Sequence, residues 1–135
     1  MSIEKLVALA TAGLVAIVLI IIVVVKLSKR LKPDHFTHKW SALQKRCSDK
    51  KEWSIALREA DDLLDVALKK KRVKGRSMGE RLVEAQNMFT DNDAVWYAHK
   101  LRKKIDTEAD LTLKKEEVQR ALLAFRTALR DVGML

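Results

Sequence analysis

From Leu6 to Val25 the chain carries no charged side chain, and fourteen of these twenty residues are Leu, Ile or Val. As a helix the run is about 30 Å long, matching the hydrocarbon thickness of a bilayer. With about 0.3–0.6 kcal/mol gained for each such residue near the bilayer centre, insertion is favoured by about 4–8 kcal/mol. The pattern predicts a transmembrane helix at residues 6–25, preceded by a short terminus at 1–5 and followed by a juxtamembrane segment at 26–33. Ala8, Ala12 and Ala16 recur every fourth residue beside Gly13, a spacing that lets two such helices approach and form a homodimer.

Beyond Pro33 the period changes. Phe36, Trp40, Leu43 and Cys47 fall at helical spacing, ending near Ser48. Asp49 followed by Glu52 gives an acceptor-x-x-Glu start, and Trp53, Leu57, Ala60, Leu64 and Ala67 extend a second stripe that Gly75 is expected to stop. Ser77 and Glu80 read as another capping box before a short helix with Leu82, Ala85 and Phe89 inward. The polar cluster Thr90 to Asp93 breaks it. A further helix carries Val95, Ala98, Leu101 and Ile105. The last, from about Thr112, carries Val118, Leu122, Phe125, Leu129 and Val132, with Gly133 closing it. No run alternates as a strand would. The fold class is therefore all-α: one transmembrane helix and, at 34–135, a four- to five-helix bundle whose short loops imply antiparallel neighbours. Helices two to five should pack together, with the first lying across them.

Charge sets the orientation. Only Glu4 and Lys5 precede the apolar run, whereas Lys26, Lys29, Arg30 and Lys32 follow it within seven residues. The positive-inside rule then puts 26–135 in the cytoplasm of a cell-membrane protein, with the amino terminus outside. A single cysteine, Cys47, agrees with a reducing compartment. Net charge is +9, favouring anionic partners such as membrane lipid or RNA. The densest cluster is Lys69, Lys70, Lys71, Arg72, Lys74 and Arg76, six cations in eight residues with no acid among them. Such a run is either a solvated helix end or an anionic-surface contact, in which each cation near a charged membrane contributes about 1 kcal/mol. It lacks the aromatic platform that single-strand nucleic-acid binding uses.

Other chemistry is sparse. Trp40, Trp53 and Trp96 sit in apolar stripes and read as core. His35, His38, Cys47 and His99 match no zinc spacing, and no metal or other cofactor is expected. Asp61 and Asp65 share a helix face, but Asp65 precedes Lys69 by four residues and reads as half of a surface ion pair. No phosphate-binding glycine loop or nucleophile elbow occurs.

The stretch WSIALREADDLLDVALKKKRVKGRSMGERL at 53–82, with VWYAHKLRKKIDTE at 95–108, resembles the HEPN-type helical domains of bacteria. It is more closely similar to membrane-anchored, uncharacterised proteins of small-genome bacteria. The resemblance implies a ribonuclease-like scaffold, commonly paired as two chains, whose active members carry an Arg, a polar residue and a His four to six residues after the Arg. Here Arg102 takes the arginine position and Lys103 the polar one, while Thr107 stands where the histidine belongs. Threonine cannot shuttle a proton near neutral pH as imidazole does. The expectation is a single-pass membrane protein whose basic cytoplasmic bundle is a non-catalytic interaction module for RNA or a protein partner. Two alternatives stand beside it: a membrane-tethered ribonuclease using Arg102 with His99, and an accessory subunit of a larger membrane complex.

Overall fold

The computed structural model describes residues 2–135, with side chains described at 2–27 and 35–135. It is all-α, with no strand among the described residues. Helix α1 spans Ile3–Arg46, α2 Trp53–Lys70, α3 Met78–Glu84, α4 Asn92–Thr107 and α5 Lys115–Asp131. The chain divides into two compact units, 1–34 and 35–135.

In the first unit one helical stretch, Ile3–Leu27, is long and apolar enough to cross a membrane. None of it is buried against the protein. The helical range of α1 includes Pro33, where the sequence predicts a break. Lys26 is exposed, whereas the side chains of Lys29, Arg30 and Lys32 lie outside the described residues.

The second unit is built on the expected stripes. Phe36, Trp40 and Leu43 from the end of α1 are buried with Leu57, Ala60, Leu64 and Ala67 of α2. Leu82, Ala85 and Phe89, then Val95, Ala98 and Leu101, then Val118, Phe125, Leu129 and Val132 complete the same core. Cys47, Ile105 and Leu122 of those stripes are half-buried. Of the tryptophans only Trp40 is buried; Trp53 and Trp96 pack on the core while half-exposed, and the Trp53 indole N–H donates to the Cys47 carbonyl at 2.8 Å.

Several boundaries shift. The first helix ends at Arg46, and the Asp49 carboxylate accepts from the Lys51 N–H to start a 3-10 turn, Lys50–Glu52, from which α2 follows. The Ser77 hydroxyl accepts from the Glu80 N–H at 3.2 Å, but the Glu80 carboxylate reaches past Ser77 to the Arg76 N–H at 2.6 Å, so the capping box is displaced by one residue. Helix α4 is capped by the Asp91 carboxylate, which accepts from the Ala94 N–H. Helix α5 begins at Lys115, three residues after the expected start, where the Lys114 N–H donates to Glu117 at 3.3 Å.

Helix α2 ends five residues before Gly75. The Val73 N–H donates to the Leu68 carbonyl and the Arg72 N–H to that of Lys69, both at 3.0 Å, the paired bonds of a Schellman closure. Arg72 occupies its left-handed position at φ 60°. Val73, the next residue, packs on the core. Helix α5 closes likewise, with Gly133 at φ 77° in the left-handed position.

Side-chain pairs fix the directions. Lys70 lies over the Phe36 ring and Arg46 pairs with Glu59, so the end of α1 runs antiparallel to α2. Arg58 early in α2 pairs with Asp106 late in α4, and Thr90 before α4 bonds Asp131 at the end of α5. Helix α4 is thus antiparallel to both α2 and α5. The carboxyl ends of α2 and α5 lie together: the Lys71 Nζ approaches Gly133.

Candidate functional site

Among the described residues the buried polar side chains are Asp61, His99 and Arg81, and the first two meet between α2 and α4. On α2, Asp61 interrupts the apolar series Leu57, Leu64 and Leu68; on α4, His99 and Arg102 interrupt that of Val95 and Leu101. Antiparallel packing sets these interruptions against each other. Asp61 is 2 % exposed and His99 3 %. The His99 Nδ1 donates to Asp61 Oδ1 at 2.8 Å, and an Arg102 Nη1–H donates to Asp61 Oδ2 at 2.7 Å. Both oxygens of the buried carboxylate are therefore engaged, which offsets the cost of taking the charge out of water.

Around this centre the network widens towards solvent. Arg102 also donates to Asp62 at 2.9 Å and through Nε to Asp106 at 2.6 Å, while Arg58 donates to the other Asp106 oxygen at 2.7 Å. Burial works against the charge on Arg102, but the hydrogen bonds that it donates to Asp62, Asp61 and Asp106 outweigh it and hold its proton more firmly than in an ordinary arginine. Slight burial likewise opposes ionisation of Asp106, and Arg58 and Arg102 more than reverse it, lowering its pKa.

The structure thus brings together His99 and Arg102, but through Asp61 and inside the core. The other histidine nitrogen, Nε2, is enclosed and has no hydrogen-bond partner among the described residues. General acid–base work on an external substrate needs a ring nitrogen within hydrogen-bond reach of it. Here Nδ1 is occupied and Nε2 is buried, and the Trp96 ring packs edge-on to the imidazole with centroids 6.0 Å apart. Thr107, at the position of a motif histidine, is exposed and turns its hydroxyl back to the Lys103 carbonyl at 3.0 Å.

A second ionic contact orders the basic segment. Arg81 on α3, 7 % exposed, donates to both oxygens of Asp65, at 2.5 and 3.0 Å, and to the Gly75 carbonyl at 2.7 Å. Partial burial would raise the Asp65 pKa, but the bonds and charge of Arg81, aided by Lys69, bring it below the usual aspartate value. The expected Asp65–Lys69 pair is present at 3.4 Å, subordinate to Arg81. Gly75 is required by close approach rather than as a helix stop: a Cβ there would lie 2.8 Å from the Arg81 nitrogen.

The six cations accordingly sit on a pinned turn. Lys69 and Lys70 end α2, Lys71 and Arg72 form its closure, and Lys74 and Arg76 lie in the connection to α3. All six are exposed. Among the described residues only Lys69 has an ion-pair partner.

Sequence reasoning missed Asp61, Asp62, Arg58, Asp106 and Arg81 as network members. The available signal for the central contact was polar residues within two apolar stripes, Asp61 on one and His99 and Arg102 on the other, which acquires meaning only once the stripes are known to face each other. No protein-family model, curated protein or solved structure matches this chain.

Proposed function

We propose that this is a single-pass membrane protein whose bundle, 35–135, is a non-catalytic interaction module facing the cytoplasm. The observation that carries the reading is the enclosure of His99. Its Nδ1 is bound to Asp61 and its Nε2 is shut in the core, while the unpaired cations of 69–76 are outside. The Asp61–His99–Arg102 network supports packing of α2 against α4, and the chemistry left on the surface is that of charge recognition. The apolar run and the four cations after it support the anchor and its orientation.

Incubating the full chain in lipid nanodiscs with mixed RNA separates this reading from a tethered ribonuclease. No cleavage is expected. Cleavage by the wild-type chain that is lost in both His99→Gln and Arg102→Ala, with circular dichroism showing that each variant remains helical, would overturn the non-catalytic reading. Co-purification of a stoichiometric partner from native membrane would instead identify an accessory subunit.

A further inference from the structure

Resting on the interaction-module reading, we infer that the Lys69–Arg76 turn is a second membrane contact, which docks the bundle on anionic phospholipid headgroups of the leaflet through which its own anchor passes. The inference starts from Phe36. Lys70 Nζ lies 5.2 Å from the centre of the Phe36 ring, so the basic turn occupies the end of the bundle at which the chain arrives from the anchor. Eight residues lie between Leu27 and Phe36, so connectivity alone holds this end within about 30 Å of the apolar stretch. A tether this short raises the effective concentration of headgroups at the turn to the millimolar range or above, so contacts too weak to recruit a free protein suffice.

The turn is suited to a flat, charged surface. Arg81 clamps the Gly75 carbonyl, Glu80 holds the Arg76 N–H, and the Schellman bonds fix Arg72 and Val73, so little backbone entropy is lost on contact. The six cations are exposed, with no acid among them in the sequence. The opposite end of the bundle is different in kind. There Lys103 and Lys104 are followed closely by Asp106, Glu108 and Asp110. Absence of an aromatic platform beside the turn favours headgroups over single-stranded RNA.

Amide hydrogen exchange of the full chain tests this in nanodiscs of phosphatidylcholine alone and with about one third phosphatidylglycerol. At low salt, amides 70–77 should exchange several-fold more slowly in the anionic discs, as binding of charged groups to a charged surface demands. The difference should disappear at 0.5 M salt and in the triple variant Arg72→Glu, Lys74→Glu, Arg76→Glu. Reversing Lys100, Lys103 and Lys104 to glutamate should leave it intact. Equal exchange in the two discs, or protection that persists in the triple variant, overturns the inference. So does slowing by short RNA but not by anionic lipid, which would retain the interaction module with a different partner. Failure of the module reading itself is separate, since it appears as RNA cleavage whatever the lipid does.

Discussion

Asp61 illustrates how one side chain decides the character of a site. Its two oxygens are shared between an imidazole and a guanidinium on α4, so its removal strands both donors. Asp61→Ala should destabilise the bundle by about 2–4 kcal/mol, read as a lowered melting midpoint, because a buried donor without a partner costs its full desolvation. Arg72 provides the opposite case. A left-handed φ costs a non-glycine residue about 1–2 kcal/mol, and glycine returns about 0.4–1 kcal/mol of that through unfolded-chain entropy. Arg72→Gly should therefore stabilise by about 0.5 kcal/mol in chemical denaturation, whereas a β-branched Arg72→Val should destabilise. Neither residue was legible in the sequence. The helix end was sought at Gly75 because glycine is the usual left-handed residue, yet burial of Val73 fixes the closure where only arginine is available. The spacing of Asp61 shows only that it shares a helix face with Asp65, because interhelical partners have no signature in spacing.

Elements, by contrast, were largely written in the spacing of apolar residues. Apart from the half-buried Cys47, the residues marked at three- and four-residue intervals from Phe36 to Val132 are in the core or packed against it, since a helix must bury its stripe to gain stability from it. What shifted were the ends, where local hydrogen bonds rather than periodicity govern: the 3-10 turn at Lys50–Glu52 and the offset Glu80 cap are examples. The core assignment predicts that Phe125→Ala, at a fully buried ring, costs about 3–5 kcal/mol. Trp53→Ala, at a half-buried ring, should cost less. The clamp of α3 on α2 predicts a pH response. Asp65 has a folded pKa below its unfolded value, so the unfolded chain takes up the proton first as pH falls. Stability should be fully present above the ordinary aspartate value of 3.8 and decline as pH drops through the lowered folded value, a decline that Asp65→Asn should reduce in thermal melts across acid pH.

At the scale of the whole molecule, the proposed docking contact depends on which side of the membrane the bundle lies. Four cations within seven residues follow the apolar run, against one cation and one acid before it, and the positive-inside rule turns this asymmetry into the expectation that the following chain lies on the cytoplasmic side. A headgroup contact by the basic turn demands the same, because anionic lipid and its negative surface potential are concentrated in the cytoplasmic leaflet. The expectation from charge asymmetry and the requirement of the proposed contact therefore share one topology, which thiol labelling tests. The native thiol complicates its measurement only slightly: burial pushes Cys47 up, leaving it less thiolate and slower to react. In a Cys47→Ser background, Ser2→Cys should be labelled by a membrane-impermeant maleimide on intact cells, while Lys103→Cys, at an exposed site on α4, should react only after permeabilisation. The reverse pattern would put the bundle outside, where the turn meets little anionic lipid, and would remove both the orientation and the physical basis of the docking contact.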